Sequence, residues 1–142
     1  MAHVSLTKKI DVPAARLWER VRDLPGYGDW LVIHREWRSD LPEQLQQGST
    51  FSSVVVVKGI ANPIDWTVDE YVEPRLLAMS GTGPMNLTVS LSIEVTEPGG
   101  SSEVEVDTTM TGGPLVGPMG KLVERAAKGD IKKSLDNLEK LL

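Results

Sequence analysis

Two histidines, His3 and His34, are the side chains of this sequence best suited to exchange a proton near neutral pH. His3 lies at the start of the chain, where a solvated residue is expected. His34 lies in a segment of alternating polarity, with Glu36 on its own face and Arg35 on the other. Either face could turn toward the interior, so His34 and Arg35 are both candidate polar anchors.

The sequence does not support a metal site or a thiol nucleophile. It contains no cysteine, and two distant histidines do not supply the three or four converging ligands that zinc requires. The stretches GTGPMN and TGGPLVGPMG lack the lysine and the strand–turn–helix context of a phosphate-binding loop. We therefore expect no metal and no cofactor. These residues favour a protein that is not an enzyme, without deciding the point.

The four tryptophans are the more informative side chains. Trp18 falls at helical spacing and Trp30 closes a turn, so both are expected in the core. Trp37 and Trp66 lie in predicted strands, where lining a pocket and filling a core are both open. Flexible methionines on the late strands and on the last helix also suit either role.

Composition excludes several classes of protein. A formal charge of −5 over 142 residues disfavours binding to nucleic acid, which needs clustered lysine and arginine. The sequence contains neither a signal-peptide pattern nor an apolar run long enough to span a bilayer. We expect one cytoplasmic domain, residues 1–142, that has a core of ordinary size and no membrane insertion.

The predicted elements follow from hydrophobic periodicity. Pro13 begins a helix whose buried face carries Leu17, Trp18 and Val21, and the prolyl turn LPGYGDW forms a second, very short one. Strands are predicted for residues 3–11, 32–39, 50–59, 63–73, 75–81, 86–97 and 103–112, and a long helix for 114–142. This order predicts an α+β domain with its helices on one face of an antiparallel sheet.

Two details of this pattern can be checked directly. Residues 86–97 and 103–112 should pair antiparallel, with Leu91, Ile93, Val104 and Val106 buried on one face. In the last helix the apolar stripe shifts around the axis at Gly129, which predicts a kink, a π-bulge or a marked wrap there.

The element order, the motif VPAARLWERVRDLPGYGDW, the GSTF at 48–51 and the long helix after GGPLVGP together resemble the START/SRPBCC superfamily in its polyketide cyclase/dehydrase-like branch. The chain is similar to small actinobacterial members, some of which are labelled as toxins of toxin–antitoxin pairs. The resemblance implies a helix-grip fold, in which a curved sheet of about seven strands wraps the last helix. It also implies a cavity for an apolar ligand between sheet and helix.

On that fold, the inward residues of the strands and the last helix face one another. The resemblance thus implies a lining of Trp37, Phe51, Val55, Trp66, Val68, Met79, Leu91, Met110, Met119 and Val123, with His34 or Arg35 as its polar anchor. The leading hypothesis is a protein that binds one small apolar or amphipathic molecule. Two alternatives stay open: an aromatase/cyclase-like enzyme, and a toxin or regulatory protein that acts through an antitoxin-like partner or as a homodimer.

Overall fold

The polypeptide forms seven strands, two α-helices and two short 3-10 helices in the computed structural model, which describes residues 1–113 and 115–142. In chain order these are β1 (Ala2–Ile10), α1 (Ala14–Arg22), a 3-10 helix (Leu24–Asp29), β2 (His34–Trp37), β3 (Thr50–Val57), β4 (Ile60–Val72), β5 (Leu76–Gly83), a second 3-10 helix (Pro84–Asn86), β6 (Leu87–Thr96), β7 (Ser102–Thr111) and α2 (Pro118–Lys140).

The strands form a single antiparallel sheet in the order β1-β7-β6-β5-β4-β3-β2, which curls around α2. This is the α+β helix-grip architecture expected from the sequence. Within the described ranges, neither α-helix is long and apolar enough to cross a membrane.

Pairing of β6 with β7 is confirmed in the predicted register. Ile93 lies opposite Val106 and Val95 opposite Val104, and all four side chains are buried. Leu91 is buried on the same face, opposite Thr108. The alternation of apolar and polar residues fixed this register because a slip of one residue would turn every side chain to the other face.

α1 begins at Ala14, one residue after the predicted start, because Pro13 has an extended backbone and is the N-cap rather than the first helical residue. Its buried face carries Leu17, Trp18 and Val21. The 3-10 helix that follows is fastened to α1, because the Tyr27 hydroxyl donates a hydrogen bond of 2.5 Å to the carbonyl oxygen of Val21. The position of Tyr27 is thereby fixed relative to the end of α1.

The predicted π-bulge in the last helix is wrong, since α2 is α-helical without interruption through Gly129. A kink or a marked wrap of the helix near Gly129 stays a prediction. One buried stripe runs along it, through Val123, Ala127, Ile131, Ser134, Leu135 and Leu138. Leu122, which the prediction placed in the stripe, is 42% exposed. In the first half of the helix the buried side chains are Val123 and Ala127, one position after the predicted Leu122 and Ala126, and this misassignment produced the apparent rotation.

Several element boundaries also differ from the predictions. β2 covers residues 34–37 rather than 32–39, and β4 already begins at Ile60. Pro114, where the helical pattern was predicted to begin, lies outside the described residues.

Candidate ligand-binding site

A small cavity of about 20 Å³ lies between the inner face of the sheet and the segment from Tyr27 to Trp37. Strands β3, β4, β5 and β6 contribute one wall, and the 3-10 helix, β2 and the residues that join them contribute the other. The lining consists of Tyr27, Leu31, Ile33, His34, Trp37, Phe51, Ser53, Val55, Trp66, Met79 and Leu91.

Aromatic rings form much of this lining, including four of the seven aromatic residues in the chain. The Trp37 ring lies edge-on to Phe51 at 5.4 Å between centroids and against His34 at 4.3 Å. Its indole N–H donates a hydrogen bond of 3.0 Å to the carbonyl oxygen of Leu24. Trp37 is therefore fixed at both its ring and its polar end.

An irregularity in β2 explains how His34 and Trp37 come to line the same cavity. Simple alternation assigns them to opposite faces, but the register with β3 shifts between His34 and Glu36. Such a bulge re-aims the side chains that follow it. Arg35 and Glu36 are exposed and lie outside the lining.

Two polar side chains interrupt the apolar wall. Ser53 is 2% exposed, and its hydroxyl oxygen accepts a hydrogen bond of 2.8 Å from the indole N–H of Trp66. Burial lowers the pKa of His34, an effect that nearby Glu36 partly opposes. A lowered pKa keeps the His34 imidazole neutral at pH 7, with one nitrogen as donor and the other as acceptor.

The structure divides the residues that the sequence analysis assigned to the site. His34, Trp37, Phe51, Val55, Trp66, Met79 and Leu91 line the cavity. Val68, Met110 and Val123 are buried in the core beyond it, whereas Met119 is only partly buried. None of the described side chains of α2 belongs to the lining. The cavity therefore lies beside β2, not along the helix.

Four lining residues were missed in the sequence: Tyr27, Leu31, Ile33 and Ser53. Ser53 was detectable, because it shares the inward alternation of Phe51 and Val55 in β3. Ile33 was also detectable, because it shares the alternation of Trp37 in the predicted strand 32–39. Tyr27 and Leu31 belong to a segment without strand or helix periodicity.

Acid–base and metal chemistry find little support in this arrangement. The described lining contains no carboxylate that could pair with His34. Among residues 1–113 and 115–142, no group of three His, Cys, Asp or Glu side chains is placed to hold a metal ion. His3 lies on the outer face, where its imidazole nitrogen contacts a carboxylate oxygen of Asp107 at 3.0 Å.

Comparison with known proteins extends this description. A family model described as "Polyketide cyclase / dehydrase and lipid transport" matches residues 1–142. The chain is 37% identical over 137 residues to a protein named Toxin Rv0910 of Mycobacterium tuberculosis, covering 96% of this chain and 95% of the relative.

Two solved structures are similar in fold at low sequence identity. The protein TTHA0849 from Thermus thermophilus superposes with a TM-score of 0.80 at 17% identity, over 97% of this chain and 94% of the other. Ara h 8.0201 superposes with a TM-score of 0.70 at 14% identity, over 98% and 95% of the two chains.

Proposed function

We propose that this chain, which belongs to the polyketide cyclase/dehydrase and lipid transport family, binds one small apolar molecule in the cavity beside β2. The composition of the lining carries this proposal: apolar and aromatic walls are interrupted by Ser53 and His34. Pockets for small molecules have this character because apolar walls supply most of the binding free energy, while a few polar groups fix the orientation.

The polar end of the ligand is expected to be uncharged. The Ser53 hydroxyl accepts a hydrogen bond from Trp66, and its own proton has no acceptor among the described residues. No charged side chain belongs to the described lining, and an unpaired charge is costly to bury. The site therefore fits a carbonyl or hydroxyl group better than a carboxylate or a phosphate.

Entry of a ligand requires the cavity to open. Its volume of about 20 Å³ is room for about one water molecule, whereas ligand pockets usually measure about 300–1,000 Å³. Among the cavity walls β2 has the fewest strand partners, because it is a strand of four residues at the edge of the sheet that pairs only with β3. Its outward motion would have to break or carry along the hydrogen bond of Trp37 to Leu24. We expect β2 to move outward when a ligand binds.

Titration with Nile red, an uncharged aromatic dye that carries a carbonyl group, tests this function. The dye should bind with one-to-one stoichiometry. Substituting Val55→Phe should weaken binding at least about tenfold, because the larger ring fills the cavity. Val56→Phe is the matched control, since Val56 is the next residue of the same strand and lies outside the lining. Absence of dye binding, or an equal loss in both variants, would count against the proposal.

A second candidate function rests on the relative named as a toxin. If this chain shares that role, inducing its expression in a bacterial host should slow growth. An unchanged growth rate at confirmed expression would remove this candidate and leave ligand binding as the function to pursue. A cyclase-like enzyme is less well supported, because the described lining holds no carboxylate to act with His34.

A further inference from the structure

Four large apolar side chains are exposed toward one end of the molecule. Ile60, Met85, Val116 and Leu122 have exposed fractions of 43%, 73%, 75% and 42%. Ile60 lies in the β3–β4 hairpin, Met85 in the β5–β6 turn, Val116 in the connection from β7 to α2, and Leu122 in the first turns of α2. We call these four residues the apolar rim.

The topology of the sheet brings these segments to the same end. In an antiparallel sheet of this order, the β3–β4 and β5–β6 turns and the end of β7 share one end. The Gly113 N–H donates a hydrogen bond of 3.0 Å to the carbonyl oxygen of Met85. Gly112 lies so close to the β5–β6 turn that a Cβ there would collide with the carbonyl oxygen of Asn86. The β5–β6 turn and the β7–α2 connection are therefore in direct contact.

The backbone at Met85 is unusual for such a side chain. Met85 and Asn86 both have a φ of 61°, in the left-handed region that bulky residues rarely occupy. Because Met85 is also 73% exposed, its side chain contributes little to the core in return. A residue held in such an unusual backbone conformation often has a functional role, which raises the question of what the exposed Met85 side chain contacts.

Basic residues flank the apolar rim, although the protein as a whole is acidic. Lys58 lies two residues before Ile60, and Lys121 and Arg125 lie on either side of Leu122, all three exposed. Residues 57–63, 83–87 and 115–125 contain these three basic side chains and one acidic one, Glu124, for a net charge of +2. Since the chain carries −5, the remaining residues carry −7.

We infer that the apolar rim docks peripherally on an anionic lipid bilayer. Single apolar side chains that project from separate turns can each enter the headgroup region, while neighbouring lysines approach anionic lipids. A protein partner is less well matched, because lysine is depleted at the core of protein interfaces. The net charge of +2 at the rim also orients the otherwise acidic molecule toward such a surface.

Flotation with lipid vesicles tests the inference. The protein should bind vesicles of phosphatidylcholine with about 30% phosphatidylglycerol, and at least about tenfold more weakly to phosphatidylcholine alone or at about 0.5 M salt. The double variant Met85→Asp/Val116→Asp should lose at least about tenfold in partitioning. Aspartate tolerates left-handed backbone better than most residues, so the β5–β6 turn should keep its shape. Lys58→Gln/Lys121→Gln should bind less to the anionic vesicles only.

Val72→Asp is the matched control, because Val72 is 39% exposed but ends β4 at the opposite end of the sheet. It should bind vesicles like the wild type, and the rim variants should still bind Nile red. The inference would be overturned by absent binding to anionic vesicles, or by equal losses in the rim variants and in Val72→Asp. A dimer that the Met85→Asp/Val116→Asp variant abolishes, without vesicle binding by the wild type, would instead identify the rim as an interface between copies.

Discussion

Ser53 places a hydroxyl group in the apolar wall of the cavity and supplies the acceptor for the buried indole N–H of Trp66. Replacing Ser53 with alanine removes that acceptor and leaves the indole N–H without a partner. We predict that Ser53→Ala lowers the free energy of unfolding by about 1–3 kcal/mol, the usual cost of a buried unsatisfied donor. Urea unfolding measures this change.

Ser52→Ala is the comparison for that prediction. Ser52 is the preceding residue of β3 and donates a hydrogen bond of 2.6 Å to the exposed Asp65. Its loss should cost less than about 1 kcal/mol, because water can replace an exposed partner. An equal loss in the free energy of unfolding for the two variants would mean that the buried hydrogen bond between Ser53 and Trp66 stabilises the fold no more than the exposed one between Ser52 and Asp65.

His34 gives the protein a predictable response to acid. Its pKa is lowered in the folded state by burial, from an ordinary value near 6.5. The unfolded chain therefore binds this proton more readily than the folded one. The contribution of neutral His34 to the free energy of unfolding is fully present above about pH 6.5. It begins to fall as the pH drops through that value and is lost as the pH passes the pKa of His34 in the folded state.

The predicted measurement is urea unfolding at about pH 8 and about pH 5, with His34→Gln as reference. The wild type should lose more stability than His34→Gln over this interval. Dye binding should also weaken at the lower pH, since a charged imidazole is unfavourable in an apolar lining. Identical pH dependence in the two proteins would show that His34 is not buried enough to matter.

At the scale of elements, regular periodicity was a reliable guide and irregular backbone was not. Alternation in β6 and β7 predicted their pairing and their buried faces. The same rule separated His34 from Trp37, because no sequence signal marked the bulge in β2. In α2 the buried stripe of the first half was predicted one residue too early, at Leu122 and Ala126 instead of Val123 and Ala127. Apolar residues on surfaces are common enough to mislead such counts.

Gly129 offers a direct test of the uninterrupted helix. It is exposed, and an added Cβ would meet no atom within 4 Å. Gly129→Ala should raise the free energy of unfolding by about 0.5–1 kcal/mol, because alanine loses less backbone entropy in a helix. Thermal or urea unfolding measures the gain. A destabilised variant would indicate that the helix departs from regular geometry there after all.

Gly120→Ala is the control within the same helix. Gly120 is buried, and its Cβ would lie 3.3 Å from the carbonyl oxygen of Met1. Crowding against that backbone should cancel the gain in the free energy of unfolding that is expected for Gly129→Ala. A similar gain in the free energy of unfolding at both positions would show that the backbone at Met1, just before β1, can shift to make room for the added methyl group.

At the scale of the whole molecule, the family resemblance implied the helix-grip fold and a cavity between sheet and last helix, whereas the small cavity in this structure lies beside β2. Periodicity indicates which residues face inward, and it correctly predicted that Met79 and Met110 are buried. It does not tell where packing leaves space, since that depends on how the irregular segment 27–37 lies against the sheet. Met79 lines the cavity and Met110 does not for this reason alone.

The central claim is that an uncharged apolar ligand occupies the cavity beside β2. A crystal structure with a bromine-labelled naphthol tests it most directly, because anomalous scattering locates the bromine independently of any fitted ligand. We predict one bromine peak in contact with Phe51, Trp66 and Met79, the naphthol hydroxyl within hydrogen-bond distance of Ser53 or His34, and β2 displaced outward. A fully occupied peak elsewhere, with the cavity still at about 20 Å³, would contradict the claim.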